Sequence, residues 1–330
     1  LFPNMIICRT DREIEPSILE KLSLFCNVPK SNVFESKDVD SIYKVPLEFH
    51  KQGLDEKVTE LLGIWATKPN VEDLKQVVYN FENPLRSVKI GIVGKYTELV
   101  ESYKSLDEAL NHAAISCQLK LEPVYIDAED LENESKCKEI LGGIDGILVP
   151  GGFGQRATEG KIKAIEFARK NKVPFFGICL GMQLAVIEFA RNVVGLKDAS
   201  SEEFGSAGDL VVHFMEGQSE ETTKGGSMRL GAYNCSLEKG SLAESIYETN
   251  EISERHRHRL EVNNMYRNQI VEAGMTISGR NSELDLVEVV ELKDHPHFIA
   301  CQYHPEFKSR PFSPHPLFKT FIEKADKHEQ

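Results

Sequence analysis

Val173-Pro-Phe-Phe-Gly-Ile-Cys-Leu-Gly-Met-Gln183 is the stretch that decides the fold and points to a reactive site. The apolar run 173–178 predicts a buried strand, and the helical spacing of apolar residues over 182–191 predicts a helix directly after it. A reactive residue between two glycines at a sharp strand-to-helix turn is the geometry of a nucleophile elbow. Glycines suit such a turn because it is strained and brings neighbouring backbone close. Cys179 therefore lies at a helix N-terminus, where the dipole favours the thiolate that attacks a carbonyl carbon.

The other six cysteines are interpreted as small buried hydrophobic residues, which is the usual role of free cysteine. They are Cys8, Cys26, Cys117, Cys137, Cys235 and Cys301. An odd total of seven, with no Cys-x-x-Cys pair, fits a reducing compartment and argues against a disulfide framework or zinc-ligand spacing. We therefore expect a cytoplasmic protein with free thiols.

A second stretch, Phe298-Ile-Ala-Cys-Gln-Tyr-His-Pro-Glu-Phe307, supplies a base for the cysteine. Residues 298–303 read as a strand, and His304 follows at its end, where the active sites of open α/β sheets lie. Glu306 shares a side with His304 because residues i and i+2 of an extended segment point the same way. We expect Glu306 to accept a hydrogen bond from one imidazole nitrogen while the other nitrogen faces Cys179.

Other histidines are expected to be surface residues or hydrogen-bonded core residues, as most histidines are. This expectation covers His295, His297, His315 and His328.

An oxyanion hole is predicted at Pro150-Gly-Gly-Phe-Gly154, which follows the apolar strand 144–149. Glycines allow backbone amides to turn toward a substrate carbonyl, as acyl transfer requires. A Gly-Gly turn alone usually means only a turn. It gains weight here because it precedes the Cys179 strand, as a second amide donor should.

Alternation of strands and helices dominates the chain from residue 88 onward. Strands are predicted at 88–93, 121–126 and 144–149, with a helix at 102–118 between the first two and a helix at 160–170 between the third and the elbow strand. Such alternation predicts an α/β fold with a mostly parallel sheet flanked by helices. Residues 218–227 are polar and are read either as a lid over the site or as a plain surface loop.

The amino-acid composition limits which partners the chain can bind. A length of 330 residues favours two domains, and 41% hydrophobic residues supports real cores. The net charge of −13 argues against nucleic acid, since binding a phosphate backbone needs a basic face. The chain has no apolar run of about 18 residues, so no membrane partner is expected. Nucleotide substrates stay possible, because local Lys and Arg side chains can hold them.

The elbow at 177–183, the loop at 150–154 and His304-Pro-Glu306 together resemble the class I, triad-type glutamine amidotransferases. Longer strings at 38–46, 226–231 and 254–264 are similar to the CTP synthase family in particular. The resemblance covers nearly the whole chain. It implies that residues 1–82 are the C-terminal remnant of an α/β synthetase (amidoligase) domain with its linker, and that residues 83–330 form the glutaminase domain.

The resemblance implies a glutamine site, whose residues fall on matching positions of this sequence. Cys179, His304 and Glu306 match the catalytic triad, and the amides of Gly152 and Leu180 match the oxyanion donors. The remaining positions match the stretch that binds glutamine and the two groups that grip its amino and carboxylate ends: Gly181, Met182, Gln183, Glu203 and Arg259. One anion and one forked cation suit an amino acid. From the residues alone, 255–259 reads instead as a solvated basic stripe, or as a strand with one charged face.

The resemblance also implies the wider reaction, in which ammonia from glutamine aminates UTP that ATP has phosphorylated, giving CTP. Mg²⁺ and ATP serve that step, GTP is an allosteric activator, and the glutaminase half needs no cofactor or metal. Homotetramers, and filaments built from them, are implied as well. Nucleotide contacts are implied at Arg9, Lys21 and Val39, and GTP contacts at Lys95 and Phe153. No Gly-x-x-x-x-Gly-Lys-Ser/Thr loop is present in the sequence.

Two alternatives stay open at this point. The chain could be the glutaminase half of another amidotransferase, such as GMP synthase, although the string at 38–44 argues against it. It could also be a regulatory or filament-building fragment whose glutaminase is idle without its partner domain.

Overall fold

The computed structural model describes residues 2–65, 67, 69–95, 103–215 and 228–328. The chain divides into two compact units, Leu1–Asn83 and Pro84–Gln330, and each unit has its own sheet and helices. The assignment of the first unit to a synthetase domain and of the second to a glutaminase domain stays a prediction.

The first unit is built on a two-stranded parallel sheet. Its strands are β1 (Ile6–Thr10) and β2 (Val33–Lys37). Its helices are α1 (Pro16–Cys26), α2 (Val45–Lys51), α3 (Leu54–Leu61) and α4 (Glu72–Glu82).

Local sequence explains where the helices of the first unit begin and end. Pro16 occupies the first helical position of α1, where its missing N–H is not needed. Gly53, with φ 76°, separates α2 from α3, because this backbone conformation favours glycine. Much apolar surface of this unit is exposed: Leu24 and Phe25 point outward, and Trp65 is 97% exposed.

The second unit is built on a nine-stranded sheet and a three-stranded sheet. The strands of the large sheet are β3 (Arg86–Gly94), β4 (Leu119–Asp127), β5 (Gly146–Val149), β6 (Phe175–Ile178), β9 (Arg229–Leu237), β10 (Glu251–His258), β12 (Thr276–Asn281), β13 (Leu286–Glu291) and β14 (Phe298–Cys301). The small sheet contains β7 (Ala199–Ser201), β8 (Asp209–Phe214) and β11 (Leu260–Val262). The helices are α5 (Lys104–Ser116), α6 (Glu134–Leu141), α7 (Thr158–Asn171), α8 (Leu180–Phe189), α9 (Leu242–Tyr247), α10 (Arg267–Glu272) and α11 (Pro316–Asp326).

The order of strands across the large sheet is β10-β9-β12-β13-β14-β6-β5-β3-β4. The five strands from β14 to β4 are parallel, and the four on the other side are antiparallel. The α/β fold class with a parallel core is therefore confirmed. The antiparallel extension is not predicted by strand–helix alternation, because it forms from later segments that pair with little helix between them.

Both faces of the parallel core are covered by helices, as expected for strands with apolar residues on both sides. Adjacent residues of β6 show the division, since successive side chains of a strand point to opposite faces. Phe175 packs on Phe298, with ring centroids 4.5 Å apart, on the face covered by α7 and α8. Phe176 meets Phe318 edge-on at 5.2 Å on the face covered by α5 and α11.

His297 departs from the sequence-based expectation of a surface or hydrogen-bonded core histidine. Its side chain is fully buried, and neither ring nitrogen has a hydrogen-bond partner among the described residues. The ring packs against Phe321, at a centroid distance of 5.9 Å. Burial lowers its pKa to about 3, with nearby Lys324 and His295 acting in the same direction. The residue is held neutral as part of an apolar core.

Replacing His297 by leucine should make the protein less sensitive to acid. A histidine whose pKa falls from 6.5 to about 3 on folding destabilises the fold as pH drops below 6.5, because only the unfolded chain takes up the proton. Between pH 6 and 4, the unfolding free energy of His297→Leu should fall less steeply than that of the original chain, by about 1.4 kcal/mol per pH unit. Chemical denaturation of the full chain at several pH values measures this slope.

The matched control is His328→Leu, at a half-exposed position beyond α11, which should keep the original slope. Equal slopes for His297→Leu and the original chain would contradict the account.

Candidate active site

The elbow forms where β6 passes through Cys179 into α8. Cys179 has φ 53° and ψ −103°, a strained conformation for a residue with a side chain. Its N–H donates to the Cys301 carbonyl at 2.7 Å, and its own carbonyl accepts from Met182 N–H at 3.0 Å. Every residue of α8 is buried, so the helix that follows the nucleophile is fixed within the core. The elbow geometry predicted from the sequence is present.

The glycines of the elbow are needed for space. A Cβ at Gly181 would overlap the Val149 carbonyl oxygen, and a Cβ at Gly177 would lie 2.9 Å from both the Ala300 Cβ and the Gly181 backbone. Neither glycine has positive φ. From the sequence, the glycines are expected to serve strain as well as close approach. In the structure Cys179 itself adopts the strained conformation, and the glycines serve the close approach.

Three side chains meet at the carboxyl ends of β6 and β14. The ring of His304 lies beside the side chain of Cys179, and its Nδ1 lies 2.7 Å from Glu306 Oε1. A Cβ at Gly151 would lie 2.8 Å from His304 Cε1 and 3.6 Å from Cys179 Cβ, so this glycine leaves room for the pair. The parallel pairing of β14 with β6 brings the histidine to the cysteine.

Opposing effects set the protonation of His304. Burial lowers the pKa of the imidazole, but hydrogen bonds and charge attraction from Cys179 and Glu306 outweigh it and raise the pKa to about 10. At neutral pH the ring is therefore an imidazolium that faces a sulfur. A protonated imidazole beside the sulfur is the kind of partner that activates a cysteine nucleophile.

The glycine loop after β5 lies beside the elbow. A Cβ at Gly152 would be 3.4 Å from Leu180 Cδ2, so the two predicted oxyanion donors belong to neighbouring residues. Leu180 is the first residue of α8, and its N–H has no partner within the helix.

Polar side chains hold the same loop from outside. Gly154 N–H donates to Glu203 Oε1 at 2.9 Å, and the Lys95 ammonium donates to the Phe153 carbonyl. Glu203 thus reaches the loop, which the sequence did not predict. The Phe153 ring is 71% exposed, with the Lys95 ammonium 5.3 Å from its centroid.

Gln183 joins α8 to two segments of the site. Its Nε2 donates to the Leu260 carbonyl at 3.1 Å and to Gln302 Oε1 at 3.2 Å. A carbonyl only accepts, so this contact fixes which end of the Gln183 amide faces Leu260. Leu260 directly follows Arg259. The side chain that the resemblance assigns to glutamine binding therefore also anchors the backbone next to the predicted carboxylate-binding arginine.

Arg259 has unused hydrogen-bonding capacity. Its Nη1 is buried and has no acceptor among the described residues, and its guanidinium lies 5.7 Å from the centroid of Phe214. A buried charged donor without a partner is unfavourable unless a ligand supplies an acceptor. The chemistry of this group fits an incoming carboxylate.

A buried ionic network supports the strands that flank Arg259. Arg229 donates to Glu261 Oε1 at 2.9 Å and to Glu288 Oε1 at 2.7 Å. His258 contacts Glu261, and His256 contacts Glu288, each at 2.7 Å. Burial alone would raise the pKa of Glu261, but His258 and Arg229 lower it overall. Residues 255–258 are therefore the end of a strand with exposed Arg255 and Arg257 on one face and buried His256 and His258 on the other, and the half-buried Arg259 follows the strand.

Other predicted binding positions are placed as follows. Met182 is fully buried in the core, so its side chain faces away from solvent. In the first unit, Arg9 lies on β1 and forms a 2.9 Å ion pair with Asp38, the residue before Val39. Lys21 is exposed on α1, and no described contact joins it to Arg9 or Val39.

Two residues near the site were missed by the sequence analysis. Gln302 lies two positions before His304, so strand alternation places it on the same side and could have indicated it. Phe307 stacks on His304 across one turn, with ring centroids 5.5 Å apart. The local sequence contains no signal for this second contact.

Three further expectations concern a loop at 218–227, metal binding and membrane spanning. The lid or surface loop expected at 218–227 lies outside the described residues. Within the described ranges, no group of three or more His, Cys, Asp or Glu side chains is arranged to hold a metal ion. In the same ranges, none of the helices is both long and apolar enough to cross a lipid bilayer.

Known families match most of the chain. Residues 98–324 match the family described as glutamine amidotransferase class-I, and residues 1–64 match the family described as CTP synthase N-terminus. The curated CTP synthase of Geotalea uraniireducens is 53% identical over 325 residues, which are 98% of this chain and 61% of that protein. The CTP synthase of Geobacter metallireducens is 53% identical over 99% of this chain and 61% of its own length. The chain thus spans 61% of the length of these relatives.

A solved structure has the same fold over about three quarters of this chain. The Trypanosoma brucei CTPS glutaminase domain with bound acivicin is 41% identical, with a TM-score of 0.69. The match covers 74% of this chain and 95% of that domain. The chain therefore belongs to the glutamine amidotransferase class-I family and, within it, to the CTP synthases.

Proposed function

We propose that this chain hydrolyses glutamine to glutamate and ammonia, with Cys179 as nucleophile, His304 as acid and base, and Glu306 as the group that orients the imidazole. The observation that carries the proposal is that the His304 ring lies beside Cys179 while its Nδ1 is held 2.7 Å from Glu306 Oε1. Nucleophile, base and orienting group in this order are an arrangement that supports acyl transfer by cysteine.

Glutamine binds with its carboxylate on the unpartnered Nη1 of Arg259 and its ammonium on Glu203. The buried Nη1 of Arg259, which has no acceptor among the described residues, supports the first contact. Glu203 already accepts from Gly154 N–H through Oε1, and a carboxylate accepts several hydrogen bonds. The Gln183 amide, with both of its N–H groups engaged, offers an oxygen acceptor at the same site. The backbone of Gly181 and Met182 completes the glutamine-binding stretch.

In the first step the Cys179 thiolate attacks the side-chain amide carbon of glutamine. The Gly152 and Leu180 amides stabilise the negative charge that develops on the amide oxygen. The imidazolium of His304 gives its proton to the amide nitrogen, the C–N bond breaks, and ammonia leaves a glutamyl thioester on Cys179. A histidine with a raised pKa is well suited to this acid role.

In the second step His304 becomes the base. The thioester is neutral, so the thiolate charge that raised the histidine pKa is gone, and the imidazole can take a proton from water. Water attacks the thioester carbon, the C–S bond breaks, and glutamate leaves. Thiolate and imidazolium are thereby restored.

In the whole protein, this ammonia aminates UTP that ATP has phosphorylated, and the product is CTP. The relatives that match 98–99% of this chain are CTP synthases, and this supports the proposal. Mg²⁺ and ATP belong to that second reaction, and the described residues include no three-residue cluster suited to a metal.

The first unit is proposed to be part of the synthetase domain, with Arg9, Lys21 and Val39 near its nucleotides. The match of residues 1–64 to the CTP synthase N-terminus supports this assignment. GTP activation is proposed to use Lys95 and Phe153, whose exposed ring offers a stacking face. A homotetramer, and filaments built from it, are proposals for the whole protein.

The two alternatives are less well supported. If the chain were the glutaminase half of a GMP synthase, the match of residues 1–64 to the CTP synthase N-terminus and the CTP synthase relatives would be unexplained. A purely regulatory fragment does not require the assembled Cys179–His304–Glu306 chain.

Replacing Cys179 by alanine should abolish glutaminase activity, by at least about a thousandfold, because the thioester can no longer form. Glutamate release and covalent labelling by a glutamine-analogue electrophile both measure this. Cys137→Ala, at a buried cysteine of α6, is the matched control and should keep activity. Turnover like that of the original chain in Cys179→Ala would rule out the nucleophile.

Replacing Arg259 by methionine should raise the KM for glutamine roughly tenfold to a hundredfold, because a charge-assisted contact to the carboxylate is lost. Steady-state kinetics of glutamate release give KM and kcat separately. Arg257→Met removes an exposed arginine two residues earlier, on β10, and should leave KM within about twofold. An unchanged KM in Arg259→Met would show that another group holds the carboxylate.

The chain joined to its upstream synthetase part should convert UTP, but not XMP, in the presence of glutamine, ATP and Mg²⁺. Chromatography of the nucleotide products distinguishes CTP from GMP. Amination of XMP instead would support the GMP synthase alternative. Glutamate release without amination of either nucleotide would contradict the proposed reaction of the whole protein.

A further inference from the structure

One face of the His304 ring is covered by an aromatic side chain that the mechanism above does not use. The Phe307 ring lies 5.5 Å from the imidazole centroid, with 29° between the ring planes. The arrangement is stacked, whereas the neighbouring His256–Tyr303 contact is edge-on at 68°. Phe307 is 47% exposed, so burial in a core does not explain its position.

The edge strand β10 holds both partners of this stack. The Arg255 carbonyl accepts from His304 N–H at 2.8 Å, and the Arg255 guanidinium lies 5.7 Å from the Phe307 centroid. Phe307 N–H donates to the His304 carbonyl at 3.4 Å, which closes the turn between them. Lys308 adds a third tie, because its ammonium donates to the Ser253 carbonyl at 2.7 Å.

Charged groups surround His304, so the group that covers its ring face affects how well the protonated imidazole is stabilised. Cys179 and Glu306 contact the imidazole and favour its protonated form. Two cations lie nearby: the Arg255 guanidinium is 5.7 Å from the Phe307 centroid, and the Lys308 ammonium donates to the Ser253 carbonyl. An aromatic face carries negative charge density, which attracts a cation stacked upon it. Phe307 therefore presents an attractive surface to the imidazolium, and Arg255 occupies a face of the same ring.

We propose that Phe307 is a positioning residue, which keeps the His304 ring charged and aligned between Cys179 and Glu306. Its ring limits rotation of the imidazole about the Cβ–Cγ bond, while Glu306 fixes Nδ1. Stabilising the imidazolium in turn stabilises the thiolate of the resting pair. The proposal deepens the proposed glutaminase function, since the aligned ring is the one that protonates the departing nitrogen.

The test compares Phe307→Leu with the original full chain, using alkylation of Cys179 by iodoacetamide as a function of pH. Mass spectrometry of the Cys179 peptide separates this cysteine from the others. Loss of the ring should shift the midpoint of the pH–rate profile upward by about half a unit, because a cation–π contact at an exposed site is lost. The kcat for glutamine should fall roughly threefold to tenfold at pH 7, with KM within about twofold.

Three further variants make the result specific. Phe307→Tyr keeps the ring and should behave like the original chain, and Phe307→Met, which removes the ring but keeps bulk, should match Phe307→Leu. Phe312→Leu removes an exposed phenylalanine from the same region and should shift nothing. A Phe307→Leu or Phe307→Met profile that superimposes on the original, or an equal shift in Phe307→Tyr or Phe312→Leu, overturns the proposal.

Alkylation does not require glutamine, so the two proposals can fail separately. A shifted alkylation profile without glutamate release from the original chain would keep the stacking role and reject the glutaminase. Normal glutamate release with unshifted profiles would keep the glutaminase and reject the role of Phe307.

Discussion

The parallel pairing of β6 with β14 is the constraint on which the site depends. Ile178 pairs with Cys301, and Cys179 N–H donates to the Cys301 carbonyl at 2.7 Å. The register fixes the nucleophile one residue beyond the end of one strand and the histidine three residues beyond the end of its neighbour. A shift by one residue would turn these side chains to the opposite face. The buried phenylalanines on both sides of β6 prevent such a shift, so the core determines the geometry of the chemistry.

The polar interior beside the site is organised in a similar way. Arg229 lies between Glu261 and Glu288, and each carboxylate also contacts a histidine. Removing one partner of a buried pair is strongly destabilising because it leaves an uncompensated charge, so the network holds β9, β11 and β13 in a fixed relation. Arg259 differs from this group, since its Nη1 has no acceptor among the described residues. The contrast separates groups that stabilise the fold from a group suited to a ligand.

Much of the site could be predicted because its signals are local. The glycines around Cys179 and the close spacing of His304 and Glu306 are visible in short stretches, and the alternation of strands and helices indicates the parallel core. Contacts that depend on pairing between distant segments could not be predicted. The antiparallel strands, the Gln183–Gln302 contact and the bond from Gly154 to Glu203 are of this kind. His297 shows the same limit, because nothing near it in the sequence reveals that both ring nitrogens lack partners.

The backbone at Cys179 has a consequence for how such a chain can evolve. Residues with a side chain in sparsely populated conformations are less stable by about 1–3 kcal/mol, and φ 53° with ψ −103° is one of them. Stability alone would favour glycine at this position, because glycine adopts positive φ without steric conflict. A glycine has no sulfur, however. Selection for thermal robustness and selection for reactivity therefore oppose each other at one residue, and stabilising changes accumulate elsewhere in the sheet.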